Sequence, residues 1–431
     1  MGVTPFTLSV IATAVNSVIS SGKWFFASAF SAPPSDRYNT TTARPRIVGR
    51  KRELIGSGAR SKLRMMFPNW SLGSGGNNLP ASIIRVAVEC NGVSVPVTFG
   101  GNRSVTIPAS QIKLESDDIL PSSFGLTKFD VGQELFTWVE AVAEPSLNRI
   151  ILAGRYNPSL NHRLLQYNPA NTSVNFDSVG PLVVTGTDFN EWALPAGAPL
   201  NEIASTIIGV FEGSDKPVWA AIGDSIVAGV GETNGSKNDI SGFFQRSMFD
   251  SDMISNPVAN FKFAVSGYRY SQFVQYLTQL QVWLAYANRS LDELGTNDFD
   301  ASGSAITVAQ AQTYAGQIWT LLGNSGIPPS KRLRTELLVR VSSSTDGYTT
   351  EAGQTISGAG WDAGGNVELF NQWLRTQSPT NVLQCFRFTH PYGVNPYKWA
   401  VPNRTQDGLH PREQEHIAMA DELRTVRISI N

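Results

Sequence analysis

Cysteine is nearly absent: Cys90 and Cys385 are the only thiols in 431 residues. A pair so far apart supports neither a disulfide framework nor a zinc-binding spacing. Cys385 sits in the apolar run 382–386, which predicts a buried, inert thiol. An excess of either charge is also missing. The 34 Lys and Arg against 35 Asp and Glu leave a net charge of −1, so no global field draws nucleic acid or an anionic membrane surface. No apolar run is long enough for a membrane-spanning helix. The four histidines show no His-x-x-x-His spacing, which argues against a metal-dependent hydrolase and predicts no cofactor. Gly, Ser, Thr, Asn and aromatic residues are abundant instead. That mix is common in β-rich proteins working outside cells or in particles, and it predicts an extracellular or virion-associated setting.

The length suggests two or three domains. Residues 1–55 read as an arm. The stretch from Phe6 to Ile19 is moderately apolar, and Ala27-Ser28-Ala29 has the form of a cleavage site. No Lys or Arg precedes the apolar part, so a docking arm is expected rather than a cleaved secretion signal. Arg44, Arg46, Arg50, Lys51 and Arg52 follow, then Arg60, Lys62 and Arg64, with almost no acids between. Such a run reads first as a solvated arm, and second as an anchor for a larger assembly or a homo-oligomer. Residues 56–187 carry short alternating runs at 83–89, 93–99, 104–107, 134–139 and 181–185, split by turn signals such as Asn91-Gly92. They predict an all-β sandwich or jelly roll. Residues 188–216, rich in Pro, Gly and Ala, read as a linker.

From 217 to 431 the period changes. Strand-like runs at 218–222, 261–265, 333–341 and 382–388 alternate with helical patterns at 271–287, 305–322, 367–374 and 411–426. Alternation of this kind predicts a parallel sheet covered on both faces. Chemistry in such a sheet gathers at the carboxyl ends of the strands. Gly223-Asp224-Ser225 follows the first strand directly. A serine hydroxyl becomes a nucleophile only when a base takes its proton, and near neutral pH that base is histidine. Of His162, His390, His410 and His416, only His410 has an acid three residues before it (Asp407) and a proline opening a helix after it (Pro411). A turn there would bring Asp407 onto the imidazole and fix its tautomer. A tetrahedral intermediate also needs donors. The Ser225 backbone N–H, Gly267 after the second strand, and the Asn297 amide in Gly295-Thr296-Asn297-Asp298 are the candidates.

These four blocks in this order resemble the SGNH (GDSL-type) hydrolase family, over roughly residues 217–431. The resemblance implies a three-layer α/β/α, flavodoxin-like fold and a metal-free serine esterase. It implies Ser225 as nucleophile, His410 as base, Asp407 as its partner, and Ser225, Gly267 and Asn297 as oxyanion donors. One departure is the acidic pair Asp292-Glu293 ahead of the third block, where the family has a more apolar strand. The β-rich region is similar to accessory domains of microbial and phage carbohydrate esterases of this family. The leading expectation is therefore an O-acetyl esterase acting on an acetylated polysaccharide, with Trp138, Trp192, Trp219, Trp283 and Trp361 as candidate sugar-stacking residues. The alternatives are a lipase or thioesterase, or a non-catalytic structural or receptor-binding component of a phage tail or virion.

Overall fold

The structure, a computed structural model, describes residues 22–29, 34–39, 44–72, 82–109, 111–143, 149–153, 163–180, 183–191, 202–232, 241–250, 256–299 and 306–430. Beyond residue 218 it is α/β. Five short strands, β1 (Trp219–Gly223), β2 (Asn260–Ala264), β3 (Arg289–Asp292), β4 (Arg332–Thr335) and β5 (Gln384–Phe386), pair in the order β2-β1-β3-β4-β5. All four pairings are parallel. Successive side chains of a strand point to opposite faces. Ala220 and Ile222 of β1 accordingly join one core with helices Val308–Asn324 and Asn366–Arg375. Trp219 and Ala221 join another with helices Gly242–Ser247 and Glu413–Ser429. Both faces of the sheet are thus covered. The strand order reverses at β1, which opens a crevice at the carboxyl ends of β1 and β3.

The region before residue 218 is antiparallel. A seven-stranded sheet has Arg46–Leu54, Ser82–Cys90 and Glu134–Ala143 at its centre. A four-stranded sheet runs Trp24–Phe26, Thr206–Phe211, Arg60–Phe67, Leu114–Glu115. Leu63, Met65, Phe67 and Ile207 of the smaller sheet share a core with Ile47, Ile84, Val86 and Val139 of the larger. The next residues in register, Met66 and Ile208, face the other way and pack with Phe261 and Trp283 of the α/β layers. The four-stranded sheet is therefore the middle layer joining the two halves.

Three expectations differ from this arrangement. The arm at 1–55 contains Arg46–Leu54, which pairs along its whole length with Glu134–Val142, and Ala27-Ser28-Ala29 is buried. The basic run is not a free solvated arm, because it is built into strands and paired with acids. Arg50 is 3 % exposed, meets Glu89 at 2.9 Å and lies over the Phe136 ring. Arg52 meets Glu134 at 2.5 Å, and Arg64 meets Asp118 at 2.6 Å. The supposed linker at 188–216 ends in the fully buried strand Thr206–Phe211. Its two faces meet two cores, so no polar alternation marks it in the sequence. Residues 1–21, including Phe6–Ile19, lie outside the described residues. No helix among the described residues is long and apolar enough to cross a membrane.

Smaller departures matter for the site. The run at 333–341 is not one strand: β4 ends at Thr335, and Val341–Ser344 pairs with Gln354–Ile356 as a hairpin. The helical stretch at 271–287 is broken by a tight turn at Val274–Tyr276.

Candidate active site

Gly223 ends β1, and Asp224 caps the one-turn helix Ser225–Ala228 that follows. Asp224 Oδ1 accepts the Ile226 N–H at 3.0 Å, satisfying one donor that the first turn of a helix leaves open. Glycine is required at 223 by proximity: an added Cβ would stand 2.3 Å from Val227 Cγ2. This packing holds the Ser225 hydroxyl at the carboxyl end of β1.

His410 has farther to travel. β5 lies three strand spacings from β1, about 14 Å, so the loop after β5 must run back across the sheet edge. Its course is fixed by hydrogen bonds. Gly408 O accepts from Val341 N and Trp399 Nε1, both at 2.9 Å. Thr405 Oγ1 accepts from Gly408 N and donates to His410 O, each at 2.9 Å. Asp407 Oδ1 accepts the N–H groups of Leu409 and His410 at 2.9 and 2.8 Å, a side-chain turn that needs an acid or amide at this position. Its other oxygen, Oδ2, lies 2.6 Å from His410 Nδ1, and His410 Nε2 lies 2.9 Å from Ser225 Oγ. The geometry thus runs from carboxylate to imidazole to hydroxyl in one continuous line. Burial alone would raise the Asp407 carboxyl, but the three N–H groups donated to it outweigh that and hold it at about 2. It is therefore ionised wherever a histidine base would operate.

Donors face the same crevice. Ser225 N–H and Gly267 N–H donate to no group among the described residues. Gly267 sits at φ +77° with open space around it, so the turn conformation, not crowding, calls for glycine. Asn297 is brought to Asp224 but arrives engaged: its Nδ2 donates to Asp224 Oδ2 at 3.2 Å and to Tyr268 O at 3.0 Å. An oxyanion would have to share one of those two protons.

Beneath the serine is a group of acids. Asp224, Asp292, Glu293 and Asp298 are all buried. Arg334 on β4 is buried among them, reaching Asp292 Oδ1 at 3.1 Å and Leu294 O at 2.5 Å. Asp298 Oδ2 accepts the Tyr270 N–H at 3.0 Å. Burial pushes Asp224 up to about 6 and Asp298 up to about 7. Glu293 is pushed well above the ordinary carboxylate range, first by burial and then by the adjoining Asp224. Two carboxyl groups in contact cannot both ionise freely, so the Asp224–Glu293 pair shares a proton. The acidic departure in the sequence is thus a buried cluster, with its counter-charge one strand away. Arg334, a charge in the interior, fully buried strand β4, was the signal that could have found it.

The other histidines do not join this line. His416 is buried, accepts the Phe243 N–H at 3.2 Å and faces Val230 O at 3.1 Å, which fixes it as a neutral structural residue. His390 is exposed, and His162 lies outside the described residues. Trp138, Trp219, Trp283 and Trp361 are each 4 % exposed or less, so none can stack on a sugar, and Trp192 lies outside the described residues. Cys385 is half-buried, and burial pushes its thiol up to about 12. Among the described residues no group of three or more His, Cys, Asp or Glu is placed to hold a metal ion.

No family model and no curated protein matches the chain. Solved structures resemble about half of it. A putative acylhydrolase from Bacteroides fragilis is 15% identical, covering 50% of this chain and 89% of its own, with a TM-score of 0.37. A GDSL-like lipase from Bacteroides thetaiotaomicron is 16% identical, covering 49% and 88%, at 0.36. An acetyl xylan esterase is 13% identical, covering 48% and 99%, at 0.35. Likeness at this level does not establish a shared family or activity, and the reading of the site rests on its own geometry.

Proposed function

We propose that the chain is a serine esterase that removes acetyl groups from a polysaccharide. The observation that carries this is the 2.9 Å contact of His410 Nε2 with Ser225 Oγ, backed by Asp407 at 2.6 Å on Nδ1. In this reading Ser225 Oγ attacks the ester carbonyl while His410 takes its proton. The C–O bond of the tetrahedral intermediate breaks, and the same proton goes to the departing sugar oxygen. Water then attacks the acyl-enzyme, gives its proton to His410, and acetate leaves as that proton returns to Ser225. Asp407 stays ionised and stabilises the imidazolium. The free N–H groups of Ser225 and Gly267 supply the first two oxyanion donors, and Asn297 the third. Asp224 and Glu293 hold the serine turn and the Asn297 amide in place.

The test is acetate release from a panel of acetylated bacterial and plant polysaccharides. Release is expected from the wild-type chain and not from Ser225→Ala. Undiminished release by that variant would overturn the assignment. A virion or tail setting is part of the proposal only for residues 1–21, since the described remainder of the leader is built into the sheets.

A further inference from the structure

A cavity of about 150 Å³ opens at the carboxyl end of β4, lined in part by Glu336, Glu368, Arg375, Arg387, Tyr392 and Tyr397. It lies on the same sheet edge as Ser225, and β4 is two strand spacings from β1, about 10 Å. Two of its walls pack against the segment that carries Asn297. The side chain of Leu337, another lining residue, lies 3.1 Å from where a Cβ on Gly295 would stand, two residues before Asn297. Trp361 Nε1 donates to Phe299 O at 2.7 Å, two residues after it. Tyr392 and Tyr397 belong to the loop that Trp399 ties to Gly408, in the turn carrying His410.

The polar groups of the wall are balanced. Arg375 grips Glu336 through two contacts of 2.7 Å, which cancels that pair. Glu368 accepts from Gly364 N at 2.5 Å and from the Tyr397 hydroxyl. Arg387 lies 4.2 Å over the Tyr392 ring, and among the described residues its guanidinium donates to nothing. Two acids and two arginines leave no net charge, so the wall selects neither sign. Acceptors (Glu336, Glu368) and a ready donor (Arg387) alternate with the aromatic rings of Tyr392 and Tyr397. A fatty acyl chain would suit the apolar part of the wall (Leu337, Leu338, Val339, Trp361, Val367) but would strip water from Glu368 and Arg387 and return nothing to them. A polyhydroxylated ring both donates and accepts at every hydroxyl, and its C–H face suits an aromatic wall.

We propose that this cavity is a subsite for a neutral sugar ring, adjoining the ring whose acetyl group meets Ser225. The inference rests on the esterase reading and names its substrate side. It also locates sugar contacts at Tyr392, Tyr397 and Arg387, while Trp361, 4 % exposed, backs the cavity wall.

The experiment compares mono-O-acetylated glucose, mono-O-acetylated cellobiose and p-nitrophenyl acetate on the wild-type chain and on Arg387→Ala, Tyr397→Phe and Glu368→Gln. All three substitutions leave the Glu336–Arg375 pair intact. Wild-type kcat/KM should be about tenfold higher for the disaccharide than for the monosaccharide, the worth of one or two hydrogen bonds to a charged group. Arg387→Ala should abolish that gain through KM, with p-nitrophenyl acetate turnover within twofold of wild type. No disaccharide gain, or an equal fall on all three substrates, would overturn the subsite while leaving the esterase standing. A rise in kcat/KM from p-nitrophenyl acetate to p-nitrophenyl decanoate that Arg387→Ala weakens would reassign the cavity to an acyl chain. A wild-type chain inactive on every ester would instead remove the esterase reading, and the subsite with it.

Discussion

Replacing Asp407 by asparagine and by alanine should give opposite rankings from those expected of simple charge loss. Asp407 Oδ1 holds two backbone N–H groups, at 2.9 and 2.8 Å, while Oδ2 faces His410 Nδ1. In Asp407→Asn the single amide oxygen must take the place of Oδ1, because turning the amide over would set its NH2 against two donors. Each hydrogen bond lost that way is worth about 0.5–1.5 kcal/mol. The NH2 therefore points at Nδ1, which must accept, and the imidazole proton moves to Nε2. A proton on Nε2 aims at Ser225 Oγ and cannot be replaced by the one it should remove. The expected loss in kcat is about 10³–10⁴-fold, or about 4–5 kcal/mol. Asp407→Ala leaves the tautomer free but also removes the acceptor of the Leu409 and His410 N–H groups, a loss of about 1–3 kcal/mol that a melting curve reads separately. The Asp407 side chain is 44% exposed, so water can reach Nδ1 in the shortened variant. Its kcat should exceed that of Asp407→Asn by at least about tenfold. The assay is p-nitrophenyl acetate hydrolysis at pH 8, with ¹⁵N NMR of His410 reporting the tautomer. Asparagine within tenfold of wild type, or alanine slower than asparagine, would refute the reasoning.

Other outcomes follow from the same packing. Gly231 lies at φ +104°, and an added Cβ would stand 2.0 Å from Pro411 O and 3.4 Å from His410 Cβ. Gly231→Ala should cost about 1–3 kcal/mol of stability and lower kcat more than it raises KM; unchanged melting and turnover would contradict the account. Asp298 should make stability depend on pH. Its carboxyl rises from 3.8 to about 7 through burial, so the folded state binds the proton more tightly than the unfolded one. The stability from that proton is complete below about pH 4 and is lost as pH rises through about 7, on the order of 4 kcal/mol. Asp298→Asn should flatten the fall in Tm between pH 5 and 8, and parallel curves for the two proteins would count against the buried acid.

How much of this could be read from the residues differs between the two halves. The α/β alternation was legible where strands stand between helices of plain 3.6 period, although the strand Arg289–Asp292 and the helix Gly242–Ser247 were not read from the residues. Asp407 three residues before His410, together with Pro411 directly after it, singled out one histidine from four, since Glu413 stands at the same distance before His416. The N-terminal half hid its architecture. The strand Arg46–Leu54 reads as a basic arm because Arg50 is buried beside Glu89, an acid that arrives from elsewhere in the chain, while Lys51 meets the strand's own Glu53. Composition cannot show such neutralisation. Thr206–Phe211 escaped for the converse reason, since a strand between two cores loses its alternation. The acids under Ser225 looked like a defect in β3 until Arg334, 42 residues on, was placed beside Asp292. Asn297 was legible as a donor, but its two existing hydrogen bonds were not.

The most direct test is the covalent intermediate. Acetylated substrate quenched in acid during turnover, digested and analysed by mass spectrometry should show an acetyl group on the peptide carrying Ser225. His410→Ala should abolish it, and no other serine should be labelled. Ester hydrolysis with no acyl group at Ser225, or continued hydrolysis by Ser225→Ala, would contradict the account at its centre.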